Sequence, residues 1–184
     1  KDTIYKMLLE TKELDLKTCV TYTTRPIRKS ETNGVEYFFV DEAELDRLKR
    51  ENKIIEQRSY NTVHGVWHYF TANDGQIRLD EADYLMLGTL ESFIQIKKYY
   101  GEERVIPIYI EVDDDIRLLR AIAREQKQEK PNFSEVCRRF LADEEDFSEE
   151  NLRKAGITKR FRNNDLSACL QEIIKELKNY TVNP

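Results

Sequence analysis

The chain has 184 residues, 40% of them apolar and 35% charged, which suits one domain burying roughly 70% of the surface its unfolded form exposes. With 30 Lys+Arg against 35 Asp+Glu, the net charge of −5 implies no general affinity for nucleic acid or membranes, so any anion site must come from local clustering. The longest uninterrupted apolar runs, such as YLML at 84–87, are far below the ~18 residues of a membrane span, and a soluble cytoplasmic protein is expected.

The chain opens on a helical pattern, with Ile4, Met7 and Leu8 spaced behind Asp2 and Thr3. A start on the threshold of a helix leads us to expect a strand upstream. TCVTY (18–22) reads as a strand, and Asn33-Gly34 before the strand-like YFFV (37–40) is a tight-turn signal. Asp41 and Glu44 have capping-box-like spacing and open a helix to about Asn52, with Leu45 and Leu48 facing inward. Short strands follow near 54–60 and 67–71. The apolar runs YLMLG (84–88) and RVIPIYIEV (104–112) fit parallel strands covered on both faces. Helical patterns fill about 91–100, 115–128, 134–155 and 166–179, with Gly156 as a C-terminal cap for the third.

Strands alternating with helices predict an α/β protein: a three-layer parallel sheet flanked by helices, with an inserted β-rich lobe. No linker or repeat divides the chain, so a single domain over 1–184 is expected. Cys19, Cys137 and Cys169 form no CxxC pair, and their odd number argues against a disulfide framework or a zinc site. His64 and His68 lack a third ligand at metal spacing and read as loop or strand histidines.

The most informative stretch is TYTTRPIRKSETNGVEYFF (21–39). It gathers Thr21, Tyr22, Thr23 and Thr24 with Arg25, Arg28, Lys29 and Tyr37 around a rigidifying Pro26. Two arginines three apart beside hydroxyls suit a phosphate monoester, because each guanidinium offers a planar fork of donors whose charge does not titrate away. On composition alone, a solvated basic loop stays open as the plainer alternative.

TTRPIR followed by E-x-N-G-x-x-Y-x-F-V (31–40) resembles the nucleotide-monophosphate segment of guanylate kinases, and the likeness runs on through DEAELDRLKRENKIIE (41–56) and more weakly to the C-terminus. The resemblance implies a P-loop kinase core at 1–29 and 73–184, a monophosphate-binding lobe at about 30–72 and a lid at about 124–135. It implies ATP-dependent phosphoryl transfer to GMP or dGMP, with Mg²⁺ as cofactor, in a monomer or homodimer. Arg25, Arg28 and Tyr37 match residues that hold the acceptor phosphate, and Thr21 stands where the family usually has serine. Glu56 matches the glutamate that reads guanine. A carboxylate accepts from both the ring N–H and the exocyclic amine of guanine, whereas adenine leaves it partly unpaired. VWHYFT (66–71) resembles G-N-Y-Y-G-[ST], making Tyr69 a second phosphate-contacting phenol and Thr71 a base-contacting hydroxyl.

On the donor side, Lys1-Asp2-Thr3-Ile4 resembles the tail of a phosphate-binding loop, G-K-x-T, with Lys1 as phosphate lysine and Thr3 as phosphate-binding hydroxyl. By resemblance Arg124 and Arg139 reach the transferring phosphoryl group, and Asn163 lies near the adenine of ATP. Segment 125–134 has the polar, Pro-containing composition of a mobile lid. The sequence departs from the family in several places. NTVHG (61–65) looks like about three extra residues, Phe70 replaces a glycine, and Leu87 and Thr89 stand where the family carries D-x-D. These departures motivate two rival readings: a nucleoside-monophosphate kinase of different base preference, and a catalytically inactive module that binds a phosphorylated ligand or protein.

Overall fold

The computed structural model describes residues 1–62 and 65–180. The chain is mixed α/β and divides into two compact units: one contains Asp2 and residues 4–106, the other Lys1, Thr3 and the residues from Pro107 onward.

In the first unit, α1 (Asp2–Glu10) buries Ile4 and Leu8, one helical turn apart. Four strands form one sheet in the order β2-β1-β4-β3: β1 (Tyr22–Thr23), β2 (Phe38–Phe39), β3 (Ile54–Thr62) and β4 (Gly65–Ala72). The long β3–β4 hairpin is antiparallel, and the His64 considered above lies outside the described residues. Between β2 and β3 runs α2 (Glu42–Arg50), whose N-cap Asp41 accepts from the Glu44 N–H at 2.8 Å. That helix ends where Asn52 takes φ 54°, with Lys53 N–H donating to the Leu48 carbonyl and Asn52 N–H to that of Lys49. In the Asn33-Gly34 turn only Gly34 takes positive φ, at 81°. Asn33 contributes its side chain instead, Oδ1 accepting from Phe39 N–H at 2.8 Å.

One face of this sheet is core. Phe70, Ala72, Leu45 and Leu48 are buried together, with Tyr22, Val40 and Ile54 against them. Tyr22 stacks on Phe70 with centroids 5.1 Å apart. Phe70, where the family pattern has glycine, thus packs against α2 on the core face. A bulge sets the phase of β3: Ile54 pairs with Ala72 and Glu56 with Thr71, so Ile55 is an extra residue. Alternation alone would put Ile54 and Glu56 on one side; the inserted residue sends Ile54 to the core and Glu56 to the other face.

The run 84–88 is not a regular strand. Tyr84 makes one parallel bridge to Lys17, with Leu85 N–H donating to the Lys17 carbonyl at 2.7 Å, and Leu87 is exposed. α3 (Leu90–Tyr100) follows, capped by Thr89.

In the second unit, β5 (Tyr109–Glu111) and β6 (Arg160–Arg162) pair in parallel. The apolar run 104–112 thus yields a shorter strand than its composition suggests. α4 (Asp114–Glu125) and α7 (Leu166–Leu177) match their periodic segments. The expected helix over 134–155 breaks into α5 (Phe133–Asp146) and α6 (Glu149–Lys154). Electrostatics accounts for the break. Asp143, Glu144, Glu145 and Asp146 crowd the negative end of a helix dipole, whereas Glu149 and Glu150 sit favourably in the first turn after Ser148. Gly156 follows α6 at φ 76°, with its N–H bonded to the Arg153 carbonyl.

Candidate functional site

The sheet register groups residues expected on the acceptor side on the face opposite the core. Thr23 lies beside Phe39 and Tyr69, Tyr69 beside Arg58, and Thr71 beside Glu56. Directly paired residues project to the same side of a sheet.

Arg25, two residues beyond β1, is only 4% exposed. Its guanidinium forms a two-point ion pair with Glu31, Nη2–Oε1 2.7 Å and Nη1–Oε2 3.0 Å, and also donates to the Pro26 carbonyl at 2.9 Å. Its Nε is buried and has no hydrogen-bond partner. The guanidinium carbon lies 5.8 Å from the Tyr37 ring centroid and 5.4 Å from that of Phe39. Tyr37 meets Tyr69 edge-on at 5.6 Å, and Tyr69 meets Tyr60 at 5.7 Å. Burial raises the Tyr37 pKa, so its phenol stays protonated and can donate to an anion. Arg28 is exposed, and its backbone N–H donates to the same Glu31 at 2.8 Å. The Arg25 guanidinium holds the Glu31 carboxyl below the usual carboxylate range. Thr21, just before β1, accepts from Phe38 N–H through its backbone carbonyl.

Glu56 is 1% exposed and fully engaged. Thr71 Oγ1 donates to Oε1 at 2.9 Å, Arg58 Nε to Oε2 at 3.0 Å and Arg58 Nη2 to Oε1 at 3.2 Å. The next residue of β3 is clamped from α3. Gln57 N–H donates to Gln95 Oε1 at 3.0 Å, and Gln95 Nε2 donates to the Gln57 carbonyl at 3.1 Å. β3 is an edge strand, and the Gln95 amide stands in for a neighbouring strand there.

The structure thus brings Arg25, Tyr37 and Tyr69 together at one place and Glu56 with Thr71 at another on the same face. The partners Arg58 and Gln95 are absent from the sequence reading, and Glu31 entered it only as a position of the E-x-N-G pattern with no role attached. Strand alternation from Glu56 to Arg58 was an available signal; nothing in local spacing ties Glu31 to Arg25 or Gln95 to Gln57. His68 is a strand residue whose Nδ1 lies 2.7 Å from Ser59 Oγ, and no cluster of three or more metal-ligating side chains occurs among the described residues.

The residues expected on the donor side, Lys1, Thr3, Arg124, Arg139 and Asn163, all fall in the second unit. Arg124 and Arg139 line one open cavity of about 560 Å³ together with Glu125, Gln128, Glu129 and Lys130. Arg139 Nε donates to Glu135 at 2.7 Å. Asn163 is 8% exposed; its backbone N–H bonds to the Glu111 carbonyl, while Oδ1 is buried without a partner. Lys1 and Thr3 are exposed at the start of α1. At the D-x-D positions, Leu87 is exposed and the Thr89 hydroxyl accepts from Ser92 N–H as the cap of α3.

Known proteins resemble this chain over most of its length. The family profile described as guanylate kinase matches residues 1–177. The guanylate kinase of Porphyromonas gingivalis is 29% identical over 182 residues, covering 98% of this chain and 91% of the relative. That of Thermobifida fusca is 62% identical over a stretch of 37 residues, covering 20% of this chain and 19% of the relative. A crystal structure of guanylate kinase from Anaplasma phagocytophilum shares the fold with a TM-score of 0.65 at 21% identity, covering 98% of this chain and 81% of that one. The chain belongs to the guanylate kinase family.

Proposed function

We infer that the protein transfers the γ-phosphoryl group of ATP to GMP or dGMP. The observation that carries this reading is the pairing, on one sheet face, of a buried guanidinium ringed by phenols with a buried carboxylate two strands away. A phosphate and a base edge that offers hydrogen-bond donors fit those two ends.

Arg25 and Arg28 hold the acceptor phosphate, with the bare Arg25 Nε as an uncommitted donor. Tyr37 donates from a neutral phenol, and Tyr69 and Thr21 add their hydroxyls. Glu56 accepts from the guanine N1–H and 2-amino group, with Thr71 beside it. Lys1, Arg124 and Arg139 neutralise charge that spreads over the equatorial oxygens of the transferring group, and the chemistry consists of positioning and electrostatics without a covalent nucleophile. Thr3 assists the ATP phosphates and the Asn163 amide faces the adenine. Mg²⁺ supplies further neutralisation when bound; a Thr3 hydroxyl with phosphate oxygens is a donor set suited to that hard cation.

Residues 30–72 act as the acceptor lobe and 124–135 as the lid of a single domain, in a cytoplasmic monomer or homodimer. No helix among the described residues is long and apolar enough to cross a membrane. The test is release of ADP by the full-length protein with ATP, Mg²⁺ and each common nucleoside monophosphate. Turnover with GMP or dGMP far above AMP is expected; equal turnover of AMP and GMP removes Glu56 as the reader of the base.

A further inference from the structure

We propose that Arg58 is a specificity-determining residue that reads the C6 carbonyl oxygen of the acceptor base, a role that rests on the GMP reading above. Glu56 is 1% exposed, and both carboxylate oxygens are engaged by the Arg58 fork and the Thr71 hydroxyl. The two donors of a guanine edge need at least one place on that carboxylate that Arg58 or Thr71 now holds.

The donor inventory then decides what the base must offer. A carboxylate only accepts, so it suits N1–H and the 2-amino group but repels a carbonyl oxygen. Thr71 has one hydroxyl proton, and it is committed to Glu56 Oε1 at 2.9 Å. Arg58 has five N–H bonds, of which the two to Glu56 leave three uncommitted to it. It projects to the same face as Glu56 by strand alternation and stands beside Tyr69 in the register. Its side chain is 13% exposed, so a guanidinium displaced from the carboxylate needs a replacement acceptor in the ligand. The carbonyl at C6 of a guanine is such an acceptor, placed next to the N1–H that Glu56 accepts. The amino group at C6 of adenine is not: it can donate to the carboxylate but offers Arg58 no acceptor at that place.

A cycle between protein and ligand tests this by calorimetry on the full-length protein, using GMP, IMP and 6-thio-GMP. IMP lacks the 2-amino group and keeps the C6 oxygen, whereas 6-thio-GMP keeps both donors and replaces that oxygen by a poorly accepting sulfur. The parent protein should prefer GMP over 6-thio-GMP by about 10-fold or more. In Arg58→Met that preference should fall below about 3-fold while the preference of GMP over IMP persists. Should the Met variant not fold, Arg58→Lys keeps a cation beside Glu56 but loses the planar fork, and the same collapse of the GMP/6-thio-GMP ratio is expected. A residue that merely props Glu56 gives the opposite pattern, in which GMP/IMP falls and GMP/6-thio-GMP stays at the parental value; that result overturns the proposal. Failure of the parent to bind GMP and IMP at all would instead remove the acceptor reading on which it rests.

Discussion

Arg25 and Glu31 form a two-point ion pair, Nη2–Oε1 2.7 Å and Nη1–Oε2 3.0 Å, in which the guanidinium is 4% and the carboxylate 11% exposed. Glu31 also accepts the Arg28 backbone N–H, so one carboxylate organises the segment carrying both arginines. The Glu31 carboxyl is held below its ordinary range, chiefly by Arg25. Its contribution to stability is therefore fully present above the unfolded carboxylate pKa, about 4.3, and is lost as pH falls through the lower folded value. Glu31→Gln should lower the melting temperature at neutral pH, and the gap from the parent should close on acidification below that window. Thermal unfolding across pH checks this; a gap independent of pH refutes it.

Arg28 is exposed and its side chain makes no hydrogen bond among the described residues. Arg28→Ala should leave the melting temperature within a degree or two of the parent but weaken GMP and AMP alike by about 10-fold or more, as loss of one charge-assisted phosphate contact requires. Calorimetry with both nucleotides reads the effect; a loss confined to GMP contradicts the assignment.

Phe70 is completely buried between Tyr22 and the Leu45 and Leu48 of α2. Phe70→Ala removes those contacts and leaves a cavity, which should cost about 3–5 kcal/mol in urea denaturation. Phe70→Gly, which restores the residue found at this place in the family pattern, should be no better, because the side chain belongs to the core face rather than to the site.

Gln95 clamps the backbone of Gln57, next to the carboxylate of Glu56. Gln95→Ala should cost about 1–2 kcal/mol for two lost hydrogen bonds and accelerate hydrogen exchange at the Gln57 amide. Unchanged protection at that amide would show that water replaces the clamp without loss.

The three thiols should separate by reactivity. Cys137 is exposed, Cys169 is buried, and burial, with Asp74 and Glu56 adding to it, pushes the Cys19 thiol up to about 11. At pH 8, iodoacetamide followed by mass spectrometry should find Cys137 modified first, with Cys19 gaining reactivity only as pH approaches its raised value. Equal rates at Cys19 and Cys137 at pH 8 would contradict that ordering.

Local order made much of this protein legible. Apolar spacing marked α1, α2, α3, α4 and α7, because helical neighbours lie within four residues of each other and leave a direct trace in sequence. The cap at Asp41 and the positive-φ glycines at 34 and 156 were readable for the same reason. Resemblance to the guanylate kinase pattern, and not spacing alone, singled out Arg25, Arg28, Tyr37 and Glu56 as candidates for an anion site and a base-reading carboxylate.

Tertiary structure decided the rest. The bulge at Ile55, which turns Glu56 away from the core, exists only once β3 pairs with β4. The Gln95 clamp spans 38 positions and the Asn163 contact with Glu111 spans 52, separations at which no periodicity survives. The apolar runs at 84–88 and 104–112 revealed burial but not strand length, since a strand extends only as far as a neighbour's backbone pairs with it. The same limit holds for chemistry: sequence named the acid at position 56, and only the folded sheet set Arg58 and Thr71 against it, since donors and acceptors find one another in space and not along the chain.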